Sequence, residues 1–190
     1  HPIRIPILKG LHGWRIALVS HSNRTLFLKH NSLASFKTLV AGQLHSWSDT
    51  RILESNGIEV EKGSDYNGLF EMLESNRFDY FPRSVIEVEE EYLKNIDKNI
   101  TIEPYHLIHY PTAYYFYVSK DNKELASHIT NGLEQAIKDG SFDQLFNQHY
   151  GESIARIKAQ KRKVIQLVNP LLSKETPLSR KKLWLNLSRQ

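Results

Sequence analysis

The sequence predicts an α/β fold, and three observations carry that reading. From about residue 38, short apolar runs alternate with helical patterns of ten or so residues, the sign of βαβ units around a parallel sheet. Extended stretches flank this segment, at residues 3–7 with 16–19 on one side and at 107–110 with 114–118 on the other. A strongly periodic helix follows the second pair, with Leu125, Ile129, Leu133, Ala136 and Ile137 at three- and four-residue spacings.

Within the α/β segment, Leu39, Val40 and Ala41 form a strand, and a polar loop leads to a helix from about Ser48 that Asn56 and Gly57 stop. Ile58, Glu59 and Val60 alternate as a strand. Gly63, Ser64 and Asp65 then offer an N-cap to a helix whose apolar face is Leu69, Phe70 and Leu73. Phe78, Asp79, Tyr80 and Phe81 make the next strand, followed by a helix from Ser84 to about Asn95. Beyond the periodic helix, Gly140 supplies a left-handed stop. Ser141 and Gln144 fit the capping box of a short helix with Phe142, Leu145 and Phe146 on its apolar side and Gly151 at its end. The tail from Glu152 is basic, then interrupted by Pro170 and Pro177, and reads as a strap over the surface.

Composition narrows the chemistry. The chain has 190 residues, 40% of them hydrophobic, enough for a core in one domain or two small ones, and its 24% charged content excludes wholesale disorder. No run approaches the ~18–20 apolar residues of a helical membrane span. The absence of cysteine excludes disulfides, thiolate zinc sites and a cysteine nucleophile. The formal charge of +4 is mild, and the basic stretch 156–163 has no interleaved aromatics, so no nucleic-acid partner is expected. There is no G-x-S-x-G, no H-E-x-x-H and no phosphate loop. His106 and His109 lie three apart in an extended segment and point to opposite faces, so neither a metal nor another cofactor is expected. Glu87, Glu89, Glu90 and Glu91 read as a solvated helix face.

Four groups of residues have a binding chemistry to weigh. Gln43, His45, Ser46, Trp47 and Ser48 lie on the loop that opens a helix, where unpaired backbone N–H groups favour an anion; equally, Ser48 or Asp49 is simply the N-cap. Arg83 follows a strand, at the edge where α/β sheets bind ligands, and offers a fork to a carboxylate or phosphate; the alternative is a surface pair with Glu87. Gly10 and Gly13 could absorb backbone rotation, and Trp14 and Arg15 beside them face either a cleft or, respectively, core and solvent. Tyr66 at a helix start is a ligand contact or a packing staple.

The order of elements also carries a resemblance. Ser32-Leu33-Ala34-Ser35-Phe36, the strand, polar loop and helix ending Asn56-Gly57-Ile58, then Tyr66, Leu69, Met72-Leu73 and Asn76-Arg77-Phe78-Asp79, resemble the second lobe of extracellular solute-binding proteins. These are the two-lobed type II periplasmic binding proteins of polar amino acid ABC transporters. The closing stretch is similar to their return into lobe one: a strand at 114–118, Ser119-Lys120-Asp121, Glu124-Leu125, Leu133, Ile137-Lys138-Asp139-Gly140-Ser141-Phe142-Asp143, Phe146 and Tyr150-Gly151.

The resemblance implies a periplasmic-binding-protein-like α/β fold, with one complete lobe and part of a second joined by hinge strands. Residues 1–19 would end lobe one and form the first hinge strand, 20–110 lobe two, 111–151 the second hinge strand and return helices, and 152–190 a C-terminal strap. It implies a periplasmic or extracellular binding protein, not an enzyme. Such a protein captures a small polar, anionic ligand between lobes for uptake through an ABC permease or for a sensor protein. The helix-start residues Gln43, His45, Ser46, Trp47 and Ser48, together with Tyr66, Arg83, Ser84, Trp14 and Arg15, would bind it, and Gly10 and Gly13 would form the hinge. Ser84 stands where amino-acid binders of the family place an aspartate that pairs with the ligand ammonium, which argues against an ordinary α-amino acid. The alternative is an enzyme on the same scaffold, resembling cyclohexadienyl dehydratases, whose cleft acid is likewise replaced by Ser84. Because the chain begins almost at the hinge, the stripe of Leu125, Ile129, Leu133 and Ile137 is expected to be covered by upstream residues or by a second copy in a homodimer.

Overall fold

The computed structural model describes residues 1–187. In chain order its first elements are β1 (Pro2–Ile3), β2 (Trp14–Ser20), α1 (Leu26–Lys29), α2 (Leu33–Phe36), β3 (Val40–Leu44), α3 (Ser48–Ser55), β4 (Glu59–Gly63) and α4 (Tyr66–Glu74). They are followed by β5 (Phe81–Ser84), α5 (Val88–Lys94), β6 (Ile100–Ile102), β7 (His106–His109), β8 (Phe116–Tyr117), α6 (Lys123–Asp139), α7 (Ser141–Ala159) and β9 (Lys163–Gln166).

The sheet is organised around β2, all of whose residues are buried. Side chains alternate across a strand, and here each parity enters its own core. Trp14, Ile16 and Leu18 pack with Leu69, Phe70, Leu73 and Phe81, whereas Ala17 and Val19 pack with Phe27, Phe36, Leu53 and Tyr80. A strand covered on both faces accounts for the nearly continuous apolar run of residues 16–19.

β2 pairs antiparallel with β5 (Ile16 opposite Arg83), with β6 (Val19 opposite Thr101) and with β7 (Trp14 opposite His109). The two flanking stretches of the sequence are therefore neighbours. β3 and β4 run parallel, and β3 continues towards β5 through a parallel bridge between Ala41 and Tyr80. The sheet is thus mixed: the βαβ pattern correctly marks β3, β4 and the strand after them as parallel, and the antiparallel members come from the flanking segments. The strand placed at 78–81 from sequence is seen three residues later, with Phe81–Ser84 on the β2 ladder and Tyr80 on the β3 side. The helix expected from Ser84 is α5, beginning at Val88 after a turn.

Local chemistry sets the helix ends. The Asp65 side chain accepts the Gly68 N–H at 2.8 Å and caps α4. Gly57, at φ 76°, ends the turn after α3, a conformation that suits glycine. Gly140, at φ 86°, joins α6 and α7 into a hairpin. Two expectations about the tail are corrected here. Ser141 makes no capping-box bond, and Gly151 does not end α7, which continues to Ala159; a helical glycine costs only about 1 kcal/mol, which neighbouring packing by Ile154 and Ile157 offsets.

Nor is the tail from 152 only a strap, because β9 joins the sheet parallel to β7. Buried Glu103 explains that docking: it accepts the N–H groups of Tyr105 and His106, each at 2.7 Å, and its own carbonyl accepts from Arg162 Nη1. After β9 the chain does run over the surface; residues 188–190 of the expected strap lie outside the described residues. On α6 the predicted stripe is real and partly covered by the chain itself: Ile129, Leu133, Ala136 and Ile137 are half-buried, and Leu125 is exposed.

Candidate functional site

At the end of the sheet where β5 stops and β2 starts, a cavity of about 310 Å³ is lined by His12, Arg15, Trp47, Ser48, Asp49, Arg83, Glu87 and Tyr114. Arg15 comes from β2, Arg83 from β5, and Trp47, Ser48 and Asp49 from the start of α3. Strand alternation sends Arg15 to the opposite face from Trp14.

Inside this cavity most charges are already matched. Arg83 Nε and Nη2 donate to the two Glu91 oxygens at 2.7 and 2.5 Å, a bidentate bond between buried groups. Arg15 Nη2 lies 2.6 Å from Asp49 Oδ1, and the buried Tyr110 hydroxyl donates to the same oxygen. Burial holds that hydroxyl well above the ordinary tyrosine range. The Arg83 guanidinium also sits 4.7 Å from the Trp47 ring centre, a cation–π contact that fixes both side chains. Glu87 is held more loosely. Its Oε2 is 3.4 Å from Arg83 Nη2 and 4.0 Å from Arg15 Nη1, and its Oε1 is 3.9 Å from His12 Nδ1. His12 stacks on Tyr114 at 4.7 Å, and burial pushes its pKa below 6.5 against the pull of Glu87.

The residues singled out from sequence divide accordingly. Arg15, Trp47, Ser48 and Arg83 converge on the cavity. Gln43 is fully buried, its amide donating to the Pro82 carbonyl at 3.3 Å, so it bridges β3 and β5 instead of facing the cavity. His45 turns to the Gly63 carbonyl at 3.2 Å, and Ser46 is exposed outside the cavity lining. Tyr66 donates to Glu91 Oε1 at 2.7 Å and packs edge-on against Phe70, which makes it a support for the Arg83–Glu91 pair. Ser84 is buried within the sheet opposite Arg15 and does not reach the cavity. Arg83 is not a surface arginine, and its fork is engaged by Glu91.

Trp14 faces a second cavity, of about 580 Å³, whose lining includes Gly10, His109, Gln166, Lys181 and Trp184. There its ring stacks on His109 at 3.9 Å, and His109 Nδ1 bonds Gln166 Oε1 at 2.9 Å. Burial lowers the His109 pKa below its ordinary 6.5. The unfolded chain therefore binds that proton more readily, and stability rises with pH through the interval from the folded value up to 6.5. Stability should fall as pH drops below about 6.5, and His109→Gln should flatten part of that slope in urea titrations at several pH values.

From sequence, His12, Tyr114 and Glu91 are not placed at the site, Asp49 is expected only as an N-cap, and Glu87 only as the partner of a surface Arg83; the structure puts His12, Asp49, Glu87 and Tyr114 on the cavity wall and Glu91 behind it. A partial signal existed for the glutamates: Glu87 and Glu91 stand four apart at the start of α5, a spacing that puts both on one helix face, and the turn after β5 brings that face back to Arg83. The apparent solvated run is split, with Glu89 pairing Arg156, Glu90 pairing Lys94, and Glu87 and Glu91 turned inward.

No protein-family model matches the chain, and no curated protein does. Solved structures do. An ancestral arginine-binding protein bound to glutamine superposes with a TM-score of 0.51 at 21% identity, covering 77% of this chain and 62% of that one. The GluR0 ligand-binding core in complex with L-glutamate gives 0.52 at 10% identity, covering 71% and 59%. An arginine-specific periplasmic binding protein of Salmonella typhimurium gives 0.49 at 18% identity, covering 76% and 62%. The fold is thus that of the periplasmic-binding-protein class, and the chain spans about three-fifths of the length of the structures it matches. Among the described residues, no helix is long and apolar enough to cross a membrane.

Proposed function

We propose that the chain forms the gripping lobe and adjoining hinge of an extracytoplasmic solute-binding protein that captures a small polar solute through an anionic group. One observation supports this above the others: two arginines, the start of α3 and two aromatic rings from separate segments converge on one cavity beyond the ends of β3 and β5. The solved structures it resembles are described with glutamine, glutamate or arginine. A hydrogen-bonding wall of this kind grips such a solute without chemistry. Asp49 and Glu91 are committed as ion-pair partners, which suits binding better than acid–base catalysis.

Closure of a second lobe would add contacts only in the closed state and shift the population towards it. Delivery would then be to an ABC permease or to a sensor protein, in the periplasm or outside the cell. The test is calorimetry of the full chain against L-glutamate, L-glutamine, L-arginine and succinate. At least one should bind, and Trp47→Ala should weaken it about tenfold or more by removing the ring that seats Arg83. If none binds the wild-type chain, this reading fails. Arg83→Ala, the obvious variant from sequence, is a poor probe because it strands Glu91.

A further inference from the structure

Two carboxylates on the cavity wall, Asp49 and Glu87, and a third behind it, Glu91, lie within reach of two guanidinium groups, and they are not equivalent. Glu91 and Asp49 make bonds of 2.5 to 2.7 Å to buried arginine nitrogens. Glu87 makes none so short; its nearest cation is 3.4 Å away, and 36% of its side chain is exposed. Its backbone stands just ahead of α5, where the N–H bonds the Ser84 carbonyl and the carbonyl accepts from Glu91, and its side chain caps nothing. Moving this carboxylate therefore breaks one long hydrogen bond, from Arg83 Nη2 at 3.4 Å, and two contacts of 3.9 and 4.0 Å.

Its surroundings define what could take its place. Arg83 Nη2, Arg15 Nη1 and His12 Nδ1 all lie within 4.0 Å of its two oxygens, and Ser48, Asp49, Trp47 and Tyr114 complete the wall. A cation brought against Glu87 would meet both guanidinium groups at the same point. An anion there would inherit their attraction. We propose that Glu87 is an internal stand-in for the anionic group of the solute, displaced towards solvent when the solute binds, so that it sets how strongly the site discriminates among anions. This rests on reading the cavity as the solute site. Weakly charged anions would fail to displace a carboxylate already in place, and a doubly charged or bidentate group would succeed, so the favoured class is a dicarboxylate or an oxyanion such as a phosphate or sulfate ester.

Inorganic sulfate is the probe, titrated calorimetrically at neutral pH and low ionic strength into the full chain and its Glu87→Gln and Glu87→Ala variants. Removing a like charge within a few ångströms of the seat should tighten sulfate binding about tenfold or more in both variants. The gain should shrink when Trp47→Ala is added, since that substitution removes a cavity wall and the ring against which the Arg83 guanidinium lies. Unchanged or weaker sulfate binding in Glu87→Gln overturns the proposal, as does a gain indifferent to Trp47→Ala, which would put the sulfate elsewhere. The two readings fail separately. If the wild-type chain binds an organic solute and Glu87→Gln alters neither that affinity nor that of sulfate, the stand-in falls and the solute-binding reading survives. If Glu87→Gln gains sulfate while no organic solute binds, the stand-in survives and the solute reading falls.

Discussion

Glu91→Ala should destabilise the chain by about 3–5 kcal/mol, the cost of leaving one partner of a buried ion pair unmatched. Glu91 closes both Arg83 bonds and also accepts the Tyr66 hydroxyl, so its loss strands three donors at once. Only 7% of the Arg83 side chain and 11% of the Glu91 side chain are exposed, so water cannot easily compensate. Urea unfolding monitored by tryptophan fluorescence reads the effect, and the double variant Arg83→Met with Glu91→Leu separates its two origins. If desolvated charge is the cause, the double variant should recover most of the loss, since apolar replacement of a whole buried pair is near neutral. A double variant as unstable as Glu91→Ala would show that the pair contributes through its geometry.

The parallel core of the fold was legible because local signals agree there. Asp65 precedes an apolar helical face, Asn56 and Gly57 interrupt the pattern before Ile58, and both features stand in the structure as a cap and a turn. β9 was not legible: Lys163, Val164, Ile165 and Gln166 are four residues in a basic tail, and what makes them a strand is long-range, the ladder to β7, the burial of Ile165 and the grip of Arg162 on the Glu103 carbonyl. Gly151 misled for the complementary reason. A glycine after an aromatic residue marks a stop in isolation, yet Ile154 and Ile157 beyond it reach the core and carry the helix onward.

The site divides along the same line. Arg83 and the α3 start could be placed because a strand end announces them; Arg15 stays open from sequence between cleft and solvent. The partner that neutralises Arg15 could not be read, since Asp49 stands on α3 and only the folded chain brings it to β2. Glu91 looked like surface because its neighbours Glu89 and Glu90 are. Like-charged runs at the start of a helix are not uniformly solvated: their members face different directions, and two of them four apart share the face that can turn back onto the preceding strand.

Gly13→Ala should cost about 2–4 kcal/mol, for a reason unrelated to hinge freedom. A Cβ at residue 13 would lie 2.1 Å from the Tyr110 carbonyl oxygen and 3.2 Å from the Thr112 nitrogen, so the added methyl meets backbone that no rotamer change can move. Relief requires parting the two flanking strands where Tyr110 N–H donates to the Gly13 carbonyl at 3.1 Å. Overpacking of this kind costs about 1–3 kcal/mol, and the strained hydrogen bond adds about 1. Gly10 differs: its φ of 72° and its contact with the Trp184 ring strain an alanine there too, but the obstruction is a side chain that can rotate. Gly10→Ala should therefore lose less than Gly13→Ala. The same measurement separates a steric glycine from a pivot. A pivot would lose solute affinity with stability intact, whereas a close-approach glycine loses stability first, and with it the register that holds Arg15 against Asp49 and Tyr110. Equal stability for wild type and Gly13→Ala, with weakened binding, would return Gly13 to the role of hinge.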